Sequence, residues 1–373
     1  MTAYDLAIVG GGIFGLSLAN AAMRYGLKVA LIEKNTIASG ASNGLVGALM
    51  PHIPARWNEK KQFQFDALLE LPEIVKNLEQ ATGISTGYSR SGRLVPIYTQ
   101  AKLDHALARE EESRQHWKTE KTGFECKVIE RSPVENWPAP ETAPLGYTWD
   151  NLAARANPRM VSAAIRQLIT PRVHIMEHTC VTTIDDKAGK VETADGRTIT
   201  ADRIILTAGY EGFDLIKDLT GKQLGKGVKG QSLLLEKAFD QEMPVVYDSG
   251  IYVVAHQNGT VAIGSTSEEE WDTTEPQPAD IKEMHQKAVR LCPALKDAPV
   301  IHTWAGIRPK CLKRDPLLGP LPDFDRTWVV TGGFKISYAI AHRIAKAALE
   351  RIFPHEAPAI ALPDSFLISH HWK

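Results

Sequence analysis

Apolar residues near the start of the chain come in short blocks whose period changes in a fixed order. The block Tyr4-Asp5-Leu6-Ala7-Ile8-Val9 reads as a strand and runs into Gly10-Gly11-Gly12-Ile13-Phe14-Gly15. A small-residue helical stretch follows over 16–23, then a Gly26 turn and a second apolar strand over 28–32 that ends in Glu33. Further along, a loop rich in small residues (38–47) precedes a helix predicted from apolar spacing over 59–82. Residues 93–98 read as a strand and 100–117 as a charged amphipathic helix. Residues 133–144, rich in proline, read as a connection. Another helix begins at 157–160, with Pro158 in its first turn.

From there the period is mostly two. Strands are expected over 173–176, 180–184, 190–193 and 198–209, with an Asp195-Gly196 hairpin turn between the last two. Four more, over 228–236, 245–247, 250–256 and 260–265, predict an antiparallel sheet in a second domain. The end of the chain returns to the opening pattern: a strand over 327–331, Gly332-Gly333, and a helix over 336–353. This return predicts a first domain assembled from discontinuous pieces. The expected division is 1–84, 147–212 and 301–373 for the first domain, and 85–146 and 213–300 for the second.

Composition narrows the function classes. The 373 residues exceed one ordinary core, and 43% hydrophobic with 23% charged residues is the balance of a soluble globular protein. A formal net charge of −1 gives no reason to expect nucleic acid as partner. No apolar run reaches the roughly 18 residues a bilayer demands. Cys126, Cys180, Cys292 and Cys311 lie far apart in no ligand pattern, so reduced thiols, a cytoplasmic location and no metal site are expected.

The opening segment carries the chemistry. A strand entering a G-x-G-x-x-G turn and then a helix holds a dinucleotide pyrophosphate: Gly10 permits the tight turn, Gly12 lets backbone N–H groups approach phosphate, and Gly15 lets helix and strand close up. Glu33, 18 residues past Gly15, stands near the position of an acid that binds a ribose hydroxyl. Lys34 would flank that ribose or sit in solvent. Ser39, Ser42 and Asn43, followed by Gly44, either donate to the cofactor or cap their own loop. The small residues Ala208 and Gly209, closing a buried strand, could pack against the same ligand. The chain has no second glycine fingerprint to serve a nicotinamide, and its distal glycine segments suit a longer ligand such as FAD.

With these segments in order, the sequence resembles the D-amino-acid oxidase superfamily of FAD-dependent amine and amino-acid oxidoreductases, particularly its glycine oxidase and sarcosine oxidase branch. The matching segments are 7–33, 38–51, 201–209, Val228-Lys229-Gly230-Gln231, 261–268, Trp304-Ala305-Gly306-Ile307-Arg308-Pro309 and Thr331-Gly332-Gly333-Phe334-Lys335. The resemblance implies an α/β fold of the glutathione-reductase-2 or p-hydroxybenzoate-hydroxylase-like type. A discontinuous Rossmann-type FAD-binding domain would join a mostly antiparallel-sheet substrate domain that covers the flavin.

The same resemblance implies roles for single residues. Arg308 matches an arginine that binds the substrate carboxylate, a task its planar fork suits; a structural pairing with Asp315 or Asp323 is the alternative. Tyr252 matches a position whose hydroxyl helps hold that carboxylate, or is a packed strand tyrosine. Arg56 resembles a carboxylate-binding arginine of sarcosine oxidases. Val181 matches a backbone contact to adenine. Gly332, Gly333 and Phe334 precede a helix whose N–H groups would stabilise charge on flavin, and Lys335 would add to that field or reach the carboxylate. Two departures stand out. Ala262 replaces the oxygen-activating lysine of sarcosine oxidases, and no histidine occupies the late glycine turn. Cys311 reads as a buried thiol, so FAD is expected to bind without a covalent link, and His52 and His256 as hydrogen-bonded rather than catalytic.

The resulting expectation is an enzyme oxidising the C–N bond of a carboxylate-bearing amine, with electrons passing to O2 or another acceptor. A 2-hydroxy-acid dehydrogenase on the same fold and a non-catalytic flavoprotein module are the alternatives.

Overall fold

The computed structural model describes residues 3–354 and 358–373. Its strands fall into two eight-stranded sheets and one short two-stranded pair. The first sheet runs, edge to edge, through Leu317–Pro320, Thr327–Thr331, Thr198–Leu206, Ala3–Val9, Val29–Ile32 and Val173–Met176. The hairpin Lys190–Thr193 with Thr198–Leu206 forms around Asp195-Gly196, as its turn residues predict. Ala3–Val9 is central and parallel to both neighbours, which accounts for its continuous apolar run.

Helices cover both faces of this sheet. Ile13–Arg24, Glu59–Thr82, Pro158–Ile169 and Ser337–Ile352 pack on one side in a single apolar cluster. Gly212–Thr220 and the hairpin strands close the other side. The sheet's strands come from the start, middle and end of the chain. The architecture is a Rossmann-type α/β unit built from discontinuous pieces, joined to a second, mostly antiparallel sheet.

That second sheet runs Val300–Cys311, Gly225–Glu236, Thr260–Gly264, Ile251–His256, Val245–Asp248, Arg93–Pro96, Tyr147–Asp150 and Cys126–Ile129. Tyr147–Asp150 and Val300–Cys311 thus pair here, although the expected division grouped residues 147 and 301 onward with the first sheet. A partner strand decides membership, and no local signal in either segment names its partner. The helix Pro278–Leu291, also absent from the sequence expectation, covers the sheet's outer face through Met284, Ala288 and Leu291. Among the described residues no helix is long and apolar enough to cross a membrane.

Candidate active site

The two sheets enclose one cavity of about 900 Å³, within the range of small-molecule and cofactor sites. One end lies at the C-terminal edge of the first sheet. Gly10 has φ +110°, and a Cβ there would fall 2.6 Å from the backbone of Ala208. A Cβ on Gly15 would fall 1.9 Å from the Gly10 carbonyl oxygen, so helix and strand approach as only glycine allows. The helix Ile13–Arg24 has no side-chain cap at Gly12 and no acid in its first turn. The Ser42 hydroxyl accepts from the Ile13 N–H at 2.9 Å. Glu33 is anchored at the strand end, accepting from the N–H groups of Gly11 (2.7 Å) and Asn35 (2.9 Å).

The other end is built on one face of the second sheet. Cross-strand register aligns Arg308 with Val228, Gly306 with Gly230, Trp304 with Ser232, and Ser232 with Gly264. The row continues through Gly264 opposite Tyr252, Tyr252 opposite Tyr247, and Arg93 opposite Asp150. Because side chains alternate faces, these residues share one surface. Its middle is built of the small residues Gly306, Gly230, Ser232 and Gly264, and neighbouring side chains lie over them: a Cβ on Gly230 would fall 2.4 Å from Arg308 Nη2, and one on Gly306 2.3 Å from the Trp304 ring.

Arg308 is fixed in place. Its guanidinium donates to Ser265 Oγ (2.9 Å), the Lys229 carbonyl (3.1 Å) and the Thr266 carbonyl (2.6 Å), while Nε has no partner. It therefore pairs with neither Asp315 nor Asp323; Asp315 instead meets Lys60. Gly230 makes room for it, since a Cβ there would come 2.4 Å from Arg308 Nη2. Burial pushes Arg308 down to about 10, partly offset by Glu268, so it remains charged at neutral pH. The Phe334 ring lies 5.3 Å from the Arg308 guanidinium carbon and 5.5 Å from Lys335 Nζ. Burial holds Lys335 below the usual lysine range, and the Arg308 and Lys310 charges push it the same way.

Most of the expected residues reach the cavity wall. Gly10, Gly12, Ile13, Phe14, Glu33, Lys34, Ser39, Ser42, Gly44, Val181, Ala208 and Gly209 line it, as do Tyr252, Arg308, Phe334 and Lys335. Gly15, Asn43, Gly332 and Gly333 stand behind it. Gly333 packs against the Phe14 ring, Gly332 lies over the Cys311 sulfur, and the Asn43 carbonyl accepts from Arg159. Arg56 is exposed with φ +52° and is not on the wall. Lys34 forms a pair with Glu211, both about half exposed. The helix Ser337–Ile352 begins after Lys335, which lies in the turn before it.

His52 lines the cavity with Gln64 as partner, and His256 bonds the Leu45 carbonyl; burial lowers both to about 4. Both are neutral at physiological pH.

The structure adds residues that the sequence reading missed. Arg93 and Trp304 line the cavity, as does Tyr338, whose hydroxyl bonds the Ser42 carbonyl (2.6 Å) and Ser162 Oγ (2.8 Å). A period-two spacing of small residues, Gly230 with Ser232 and Gly306 beside Trp304 and Arg308, was the available signal for the cavity face of the second sheet.

A glycine cradle at the end of a parallel strand, opening into a long cavity, is what a dinucleotide such as FAD requires, and Gly10, Gly12 and Gly15 fit it. Residues 5–347 match the family model described as DAO, FAD dependent oxidoreductase. The chain belongs to this family. Its DAO relatives include a glycine oxidase of Pseudomonas putida, 27% identical over 90% of this chain and 91% of that protein. Among solved structures, the glycine oxidase of Geobacillus kaustophilus superposes with a TM-score of 0.87 at 21% identity, covering 97% of each chain. The iminodiacetate oxidase of Chelativorans sp. BNC1 superposes at 0.81 and 22%, covering 97% of this chain and 98% of that one. The protein is thus an FAD-dependent oxidoreductase of the DAO fold. The fingerprint glycines and Glu33 could hold the cofactor's adenosine end, and the Ser42 loop its pyrophosphate or ribityl chain.

Proposed function

We propose that this enzyme oxidises the C–N bond of a small amino acid or secondary amine that bears a carboxylate. The observation that carries this reading is the charge at one end of the cavity. Arg308 and Lys335 flank one ring, repel each other, and have no ion-paired carboxylate among the described residues. An anion between them would relieve that repulsion, and a guanidinium fork suits a carboxylate. Tyr252, on the same wall, adds a hydroxyl donor to the same group.

Bound FAD would supply the hydride acceptor; loss of a hydride from the α-carbon of the neutral amine would leave an iminium, which water hydrolyses to the carbonyl acid and the free amine. The chain's residues bind the carboxylate and orient the α-carbon. No side-chain acid or base is demanded of them, consistent with two cavity-region histidines that are neutral and hydrogen-bonded. Electrons then pass to O2 or a separate acceptor. Non-covalent attachment of FAD is supported by Cys311. Its thiol is buried beneath Gly332, off the cavity wall, and is pushed up to about 12.

Anaerobic mixing with a panel of amino acids, N-methyl amino acids, amines and 2-hydroxy acids tests the reading through bleaching of flavin absorbance. Bleaching by carboxylate-bearing amines is expected, and admitting air then tests O2. Bleaching by a hydroxy acid and no amine, or by nothing, overturns it. Arg308→Ala should weaken substrate binding by about 2–5 kcal/mol, read from the concentration dependence of bleaching.

A further inference from the structure

The two carbonyls that hold the Arg308 guanidinium are themselves held. Arg308 Nη2 donates to the Thr266 and Lys229 carbonyl oxygens (2.6 and 3.1 Å), and both residues are tied to Glu268. The backbone of Glu268 pairs with that of Lys229 in both directions, at 2.9 and 3.0 Å, which keeps the segment after Thr260–Gly264 on the sheet. The Glu268 carboxylate folds back on the same segment. One oxygen accepts from the Thr266 hydroxyl and from Gln231 Nε2 (2.9 Å), and the other lies 3.7 Å from Lys229 Nζ. The Lys229 side chain is 1% exposed and Gln231 is fully buried. Burial pushes the Glu268 carboxyl up, but Thr266, Gln231 and Lys229 hold it below the usual carboxylate range, so it is ionised at neutral pH.

Donor and acceptor counting shows how tightly Thr266 is set. The Gln231 N–H donates to Thr266 Oγ1 (2.9 Å), so the hydroxyl's own proton goes to Glu268. Gln231 Oε1 accepts from the Gln277 N–H (2.5 Å), which fixes the amide, and Nε2 gives its second proton to Asp280 Oδ2 (2.6 Å). Turning Thr266 would leave both Gln231 and Glu268 short of a partner. Charge alone would make Glu268 a hindrance, because an anion near Arg308 opposes a second one. What its carboxylate supplies is a fixed acceptor. The adjacent Glu269 pairs with Lys226 and Lys310 at an exposed surface and holds neither carbonyl.

We propose that Glu268 is a positioning residue for substrate binding: by fixing Thr266 and Lys229 it sets the carbonyls that aim the Arg308 guanidinium at the substrate's carboxylate. This rests on the proposed function, in which Arg308 binds that carboxylate.

The test is titration of acetate against the FAD-loaded enzyme, followed by perturbation of flavin absorbance. Removing Glu268 alone would strand the buried Lys229 charge, so both variants carry Lys229→Met, which keeps the carbonyl. Glu268→Gln in that background retains an oxygen where Thr266 and Gln231 point, and should keep the native acetate affinity. Glu268→Ala in the same background removes that oxygen and should weaken acetate about tenfold, the scale of one hydrogen bond to a charged group. The two differ in no charge, so an electrostatic role predicts equal affinities. In an Arg308→Ala background the Ala form should cost nothing further, since residues acting through one another are not additive.

Equal acetate affinities in the Gln and Ala forms, or a loss that persists without Arg308, overturn the inference and leave the proposed function standing. An unchanged affinity in Arg308→Ala alone overturns both. Should the Ala form fail to load FAD, Thr266→Ala in the native chain cuts the same tie: a loss confined to chains that keep Arg308 supports the proposal, and native affinity overturns it.

Discussion

The two ends of the cavity are built by opposite means. The adenosine end is made largely of backbone, where missing side chains bring the opening strand, turn and helix together at Gly10, Gly12 and Gly15 and against Ala208. The far end is made of side chains carried by strands scattered from Arg93 to Arg308, which meet only through sheet register. A backbone device of this kind tolerates no intrusion. A dispersed device depends on the pairing of the whole sheet, and each member can be altered separately. Substitution should therefore remove the cofactor at one end and tune ligand binding at the other.

The largest effect is expected from Gly15→Val. Its Cβ would meet the Gly10 carbonyl oxygen at 1.9 Å, so helix and strand must separate and the protein should purify without FAD, read from its flavin-to-protein absorbance ratio. Gly230→Ala should retain FAD but displace the Arg308 guanidinium, weakening acetate by about 1–3 kcal/mol in a flavin-absorbance titration. If FAD is lost there too, the two ends are not separable.

Lys335→Met should cost acetate binding about 1 kcal/mol. Because Lys335 titrates below the ordinary lysine range, acetate binding should weaken as pH rises through that lowered value and be fully present below it. That alkaline limb should disappear in the Met variant, where pH titration of acetate affinity checks it. The smallest effect belongs to Lys34→Ala. Its pair with Glu211 is about half exposed, so FAD affinity by equilibrium dialysis should change by less than about 0.5 kcal/mol.

The same contrast explains what the sequence disclosed. The glycine fingerprint, the second strand with Glu33, and the strand–glycine–helix at the chain's end were readable because each is a local pattern with its own period. Arg308, Tyr252 and Lys335 became candidates through resemblance, and the register of the second sheet was needed to put Arg308 and Tyr252 on one face with Trp304 and Arg93. Nothing in the run Arg93-Leu94-Val95 marks its arginine as a cavity residue, because its partner Asp150 lies 57 positions away. Arg56 illustrates the converse: a basic residue near a cofactor loop looks like a ligand until a backbone with positive φ turns it to solvent.

The small residues Gly230, Gly264, Gly306 and Ser232, packed beneath larger side chains, have a consequence for divergence. Adding atoms there intrudes on the side chains that lie over it, as the 2.3 Å approach of a Gly306 Cβ to the Trp304 ring illustrates. New substrate preferences must then be written on the rim, through Arg308, Trp304, Tyr252 and Arg93. The fold keeps its cofactor geometry constant while leaving a small set of positions open to selection.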